Sequence, residues 1–221
     1  MIAAVLCPHP PLLFRELTGR QDVAAELRAA CHDVLSEALA TAPTRVVVVG
    51  AADEAREWTG EPAVRRFGTN EERRETDELP LSLGVGRRLL DEAGWSGETE
   101  LVSLTWDAGD EVVDALGALL RQSTNTVALV LGEGSTRRGD KAPGFLDERS
   151  FPFDSATAAA LESGDATALR GLDVVLADEL MVLGRTAFRV LGALGRPLSA
   201  RLAYDHDPFG VAYHVALWRY T

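Results

Sequence analysis

Four consecutive valines, Val46 to Val49, set the strongest constraint on this chain. A strand with one solvated face alternates apolar and polar residues, whereas an unbroken β-branched run suits a position buried on both faces. Arg45-Val46-Val47-Val48-Val49-Gly50 therefore predicts a central strand. Val127-Ala128-Leu129-Val130-Leu131 predicts a second buried strand, and residues 2–7 predict a third, closed by the stiff turn Pro8-His9-Pro10-Pro11. Val23, Leu27, Cys31, Val34 and Ala38 form one stripe of a helix over residues 22–40. Helices are also expected at 81–93, 110–121, 154–162 and 178–194, the last punctuated by Gly184, with strands at 100–105, 198–204 and 211–218. Strand material at both ends, with strand-helix alternation between, predicts a single α/β domain over residues 1–221. Its central sheet should be mixed, mostly parallel and flanked by helices, with no linker or internal repeat.

The 221 residues carry 22 basic and 34 acidic side chains, a formal net charge of -12, and 46% are hydrophobic. That apolar share can fill a core, while the acidic surplus works against attraction to phosphate backbones or anionic headgroups. No nucleic-acid or membrane partner is expected. Cys7 and Cys31, the only cysteines, both sit in apolar patterns and read as buried thiols of a reduced compartment. With no basic leader and no apolar run of membrane-spanning length, a cytoplasmic location is expected. Lys141 is the one lysine among the 22 basic residues, a compositional bias with no functional content. Residues 51–80 are polar, include Glu71-Glu72-Arg73-Arg74-Glu75, and exceed an ordinary connection, so they read as a solvated excursion or a lid.

Ligands of open α/β sheets meet the loops beyond the carboxyl ends of strands. Three polar loops qualify: His9 after the first strand, Ala51 to Glu54 after the second, and Glu133 to Lys141 after the Val127–Leu131 strand. Flanking prolines leave His9 little backbone freedom, which suits either a presented imidazole or a histidine that caps its loop. Gly132-Glu133-Gly134-Ser135 can bring backbone donors, a carboxylate and a hydroxyl into one cleft, making Glu133 and Ser135 the candidate catalytic pair. This is not a phosphate-binding loop, because Lys141 comes too late, nor a nucleophile elbow, because Thr136-Arg137 follows Ser135. Arg137, Arg138 and Lys141 form a small cationic cluster, either a contact for a substrate anion, with Arg137 and Lys141 the candidates, or a salt-bridge patch. Asp205-His206-Asp207 reads as metal ligands, an acid/base pair or a plain hairpin loop. His9, Asp205 and Asp207, with Glu133, are candidate ligands of a hard divalent ion if the fold brings their loops together. His32 is expected on the surface and His214 packed in the last strand. No cysteine pair at metal spacing, dinucleotide fingerprint or aromatic-basic platform is present.

The stretch Ala4-Val5-Leu6-Cys7-Pro8-His9-Pro10-Pro11-Leu12 resembles the start of proteins of the class III extradiol ring-cleavage dioxygenase superfamily, especially a short actinobacterial branch. The resemblance continues in Leu79-Pro80-Leu81-Ser82-Leu83, in Gly132-Glu133-Gly134-Ser135 through Lys141-Ala142-Pro143-Gly144, and in Tyr204-Asp205 through Pro208-Phe209-Gly210-Val211-Ala212-Tyr213. It implies a mixed α/β sheet and, in active members, a non-haem Fe(II) held by two histidines and a glutamate, with a further histidine as acid/base. His9 matches the first ligand. The second histidine position carries Gly50-Ala51-Ala52-Asp53, the base position carries Ser135-Thr136, and no glutamate matches the C-terminal ligand, with Asp205-His206-Asp207 only a nearby substitute. Two expectations follow from the resemblance. One is a divergent metal-dependent enzyme acting on a small aromatic or anionic substrate, with Fe(II) or another divalent metal. The other is a non-catalytic member, without a cofactor, that binds a small molecule or a protein. A homodimer is expected on the same resemblance and on the frequency of cyclic dimers.

Overall fold

The computed structural model describes residues 1–62 and 78–221. Its elements, in chain order, are β1 (Ala3–Cys7), α1 (Ala25–Leu39), β2 (Arg45–Ala52), β3 (Arg56–Trp58), β4 (Glu61–Pro62), β5 (Glu78–Leu79), α2 (Leu81–Glu92), β6 (Glu98–Thr105) and α3 (Asp110–Gln122). They continue with β7 (Thr126–Leu131), α4 (Ser150–Ser163), α5 (Ala166–Arg170), α6 (Val174–Glu179), α7 (Arg185–Ala193), β8 (Ser199–His206) and β9 (Tyr213–Arg219). A seven-stranded sheet has the order β3-β6-β2-β7-β1-β9-β8, and β4 pairs separately with β5. The inner pairs β6/β2, β2/β7 and β7/β1 are parallel, while β3, β9 and β8 add antiparallel edges. This is the expected single α/β sheet, mixed and mostly parallel at its centre.

The four valines show why β2 is central. Val46 and Val48 point into one apolar cluster, with Leu27, Cys31, Leu83 and Leu89 of α1 and α2. Val47 and Val49 point into the other, with residues of α3 and α7 such as Val113, Phe188 and Leu191. Adjacent residues of a strand face opposite sides, so a sheet covered by helices on both faces demands an apolar residue at every position. On the outer strand β9, Trp218 is fully buried and its Nε1–H donates to the Leu161 carbonyl at 2.8 Å, tying the sheet to α4.

One helical expectation is corrected and another gains its cause. The stripe of α1 holds for Leu27, Cys31, Val34 and Ala38, but Val23 precedes the helix and is 52% exposed. The punctuation expected at Gly184 within 178–194 is present: α6 ends at Glu179, Met181 takes a positive φ of 54°, and α7 begins after Gly184. Close approach forces the break. A Cβ on Gly184 would lie 2.4 Å from the Glu133 carbonyl oxygen, and the Gly184 N–H donates to that same oxygen at 2.7 Å. Of the expected excursion over 51–80, residues 51–52 extend β2 and 56–58 form β3, whereas 63–77 lie outside the described residues. Among the described residues no helix is long and apolar enough to cross a membrane.

Candidate functional site

Parallel pairing brings the ends of β1 and β7 together. Cys7 is in register with Leu131, and the Gly132 N–H donates to the Cys7 carbonyl at 2.9 Å. His9 and Glu133 consequently emerge side by side, and the His9 backbone N–H donates to Glu133 Oε2 at 3.1 Å. Both residues are buried. Burial raises the pKa of Tyr213, and the nearby Glu133 carboxylate adds to that rise.

Beyond Glu133 the chain is stitched to the entry of β9. The Gly134 N–H donates to the Ala212 carbonyl at 2.8 Å, and the Ala212 N–H to the Ser135 carbonyl at 2.9 Å. Gly134 is required there, because a Cβ would sit 2.7 Å from both the Ala212 Cβ and Asp154 Oδ1. Asp154 comes from α4 and is 2% exposed. It accepts the Ser135 N–H at 2.9 Å on Oδ1 and the Ser135 hydroxyl at 2.5 Å on Oδ2, and Arg138 Nη1 reaches Oδ2 at 3.3 Å. The Arg138 Nε–H donates to Asp207 Oδ2 at 2.7 Å, its backbone N–H donates to the Gly210 carbonyl at 3.1 Å, and its guanidinium carbon lies 4.7 Å from the Phe151 ring centre. Burial alone would lower the pKa of this guanidinium, but the Asp207 and Asp154 carboxylates carry it above its ordinary value.

Asp205 and His214 face each other across β8 and β9. Asp205 Oδ1 lies 3.1 Å from His214 Nδ1, outside hydrogen-bond alignment. Contact with His214 holds the Asp205 carboxyl below its ordinary pKa, against the opposing effect of desolvation, and Arg138 adds to the lowering. His214 is fully buried in its strand, as expected, and His32 is half-buried on α1 beside Glu92.

The sequence-derived candidates thus fall into separate pairings. His9 goes with Glu133, Asp205 with His214, Asp207 with Arg138, and Ser135 with Asp154. Arg137 is half-buried, donating to the Gly144 carbonyl at 2.7 Å and the Glu179 carbonyl at 3.0 Å and lying 3.6 Å from Asp147 Oδ2, while Lys141 is exposed on its loop. Among the described residues, no three or more His, Cys, Asp or Glu side chains are grouped as a metal site. The Fe(II) implied by the resemblance requires two imidazoles and a carboxylate on one face of the ion. That donor set does not fit the pairings present. Asp154 carries no motif in the sequence; it reaches Ser135 only because α4 returns across the sheet end.

Buried polar atoms remain at this pole without a hydrogen-bond partner among the described residues: His9 Nδ1, Thr136 Oγ1 and both ring nitrogens of His214. Such atoms cost roughly 1–3 kcal/mol each when nothing satisfies them. Next to the loop that follows β8 lies a cavity of about 360 Å³, lined by Asp22 to Leu27 at the start of α1 and by Tyr204, Pro208 and Phe209. Burial, then the Glu26 carboxylate, raises the Tyr204 pKa, so its phenol is a protonated donor at neutral pH. A larger apolar groove of about 450 Å³ lies elsewhere, between α4, α5 and α6.

The loop that carries Arg137 and Arg138 is itself anchored by ion pairs. Asp147 accepts from the Arg149 side chain at 3.0 and 2.7 Å and from the Arg149 backbone N–H at 3.0 Å, which lowers its pKa to about 2. Its pKa in the unfolded chain is about 3.9, so this pairing contributes stability above about pH 4 that is lost as the pH falls towards 2. In urea unfolding at stepped pH, Asp147→Asn should therefore show a shallower loss of stability over that window than the parent chain. Equal slopes would count against the pairing.

No family model matches the sequence, and no curated protein does. Among solved structures, the crystal structure of an uncharacterised protein from Escherichia coli K12 aligns with a TM-score of 0.54 at 11% sequence identity, over 98% of this chain and 99% of that one. The likeness shows a shared fold.

Proposed function

We propose that this chain is a non-catalytic member of the extradiol dioxygenase-like superfamily that binds a small aromatic molecule in the cavity between the start of α1 and the loop after β8. The observation that carries this reading is the 360 Å³ cavity lined by the start of α1 and by Tyr204, Pro208 and Phe209, next to an Asp207 carboxylate already paired with Arg138. Its volume is in the range of small-ligand sites, and two aromatic residues with a protonated phenol suit one ring bearing polar substituents. A cytoplasmic setting accords with the free, buried thiols of Cys7 and Cys31. The competing reading, a metal-dependent enzyme, is favoured by one observation, the buried and unpartnered His9 Nδ1 next to Glu133.

The test is in two parts. Catechol, as the probe, should give a saturable ligand-detected NMR signal that weakens at least about tenfold in Phe209→Ala, about the loss expected for an aromatic wall in a small-ligand site. Anaerobic titration of metal-stripped protein with Fe(II), with Mn(II) and Zn(II) as competitors, should give no one-to-one uptake, and catechol should cause no oxygen consumption. Stoichiometric Fe(II) uptake that disappears in His9→Ala, together with catechol-dependent oxygen consumption, would establish the enzyme reading instead. Absence of catechol binding would overturn the assignment of the cavity.

A further inference from the structure

We infer that Arg138 is a built-in cation of the sheet pole, taking the electrostatic place of a divalent ion between Asp154 and Asp207 and keeping such an ion out. The inference rests on the reading above that the pole has no resident metal, and it concerns the two acids, Asp154 and Asp207, that Arg138 joins.

Asp154 has a side chain only 3% exposed, and an isolated carboxylate is strongly disfavoured at that depth unless a positive charge opposes it. The opposing charge is Arg138, itself 19% exposed, whose Nη1 reaches Asp154 on α4 and whose Nε reaches Asp207 beyond β8. One cation therefore bridges two carboxylates from separate elements, as an oxygen-liganded metal bridges distant segments. The Phe151 ring lies against the guanidinium, and the backbone N–H bond to the Gly210 carbonyl fixes the main chain of Arg138. Asp207 is one of the residues that the sequence offers as a metal ligand; its carboxylate is committed to the arginine. Lysine would not reproduce this geometry, because its three donors share one rotating nitrogen, whereas Nε and Nη1 of the guanidinium are held apart in a rigid plane.

Removing the guanidinium while keeping the acids leaves Asp154 and Asp207 facing each other across a vacated volume. Hard divalent ions prefer carboxylate and water oxygens, so Mn(II) is the suitable probe. We expect the parent chain to bind Mn(II) negligibly, and Arg138→Met and Arg138→Gln each to bind one equivalent at least about tenfold more tightly, towards the ~0.1–1 mM range of weakly built oxygen sites. Free Mn(II) is counted by electron paramagnetic resonance, and melting with and without Mn(II) gives an independent readout. Adding Asp207→Asn to either variant should abolish the gain.

Parent protein that binds Mn(II) as tightly as the variants would overturn the inference, as would variants that gain nothing, or a gain that survives Asp207→Asn. Arg138→Gln keeps neutral donors towards both acids and guards against simple loss of the loop. Folding of either variant only in the presence of Mn(II) supports the exchange of cations, whereas failure of both to fold with or without it overturns it. These outcomes are separate from failure of the proposed function, which is read in the parent chain through Fe(II) and His9.

Discussion

Asp154→Ala is expected to destabilise the domain by about 3–5 kcal/mol, the range for removing one partner of a buried charge pair. The carboxylate serves three donors at once: the Ser135 N–H, the Ser135 hydroxyl and Arg138. Alanine leaves the Ser135 groups buried without their acceptor and strips Arg138 of its more deeply buried counter-charge. Asp154→Asn keeps an acceptor oxygen for the Ser135 N–H, so it should cost less, about 1–3 kcal/mol. Urea midpoints of the two variants measure both costs, and a shift under about 1 kcal/mol for the alanine variant would mean that the network is solvated. Because Ser135 is stitched to Ala212 and Arg138 to Asp207 and Gly210, amide hydrogen exchange should rise at residues 133–138 and 205–212 in Asp154→Ala. Exchange unchanged in those segments would show that α4 does not hold the pole together.

Trp218→Ala should cost a similar amount, about 3–5 kcal/mol, for a different reason. Trp218 is the largest fully buried side chain and belongs to the cluster on the α3/α7 face of the sheet. Its removal leaves a cavity that the surrounding strand and helix backbones cannot close. It also frees the Leu161 carbonyl, which accepts the indole N–H at 2.8 Å. Trp218→Phe fills much of the volume and loses mainly that bond, so a cost of about 1–2 kcal/mol is expected. Comparing the two by urea unfolding separates packing from hydrogen bonding. Equal costs would show that the indole N–H matters more than the ring volume.

Much of the architecture was legible from local patterns. The valine run of β2, the buried runs of β1 and β7, and the apolar stripes of α1, α2 and α3 follow from periodicity, because a residue's facing is set by its own backbone geometry. The break between α6 and α7 was legible only as a glycine at position 184. Gly184 permits it, but the cause is the backbone of Gly132 and Glu133, about fifty residues earlier in the chain.

The pole divides along the same line. His9, Glu133, Ser135 and the Asp205–Asp207 loop stood out because they follow buried strands, and parallel pairing of β1 with β7 does bring His9 beside Glu133. Their mutual partners came from elsewhere: Asp154 from a helix with no motif, and His214 from the strand across from Asp205. Arg138 read as one member of a cationic cluster, with a salt-bridge patch as one alternative, and the fold supplies the two carboxylates that it bridges. By itself the sequence determined the layers of this protein and the end of the sheet where polar residues collect. Tertiary structure alone decided which charges neutralise one another, because Coulombic and hydrogen-bond energies depend on distances between segments that the chain order does not specify.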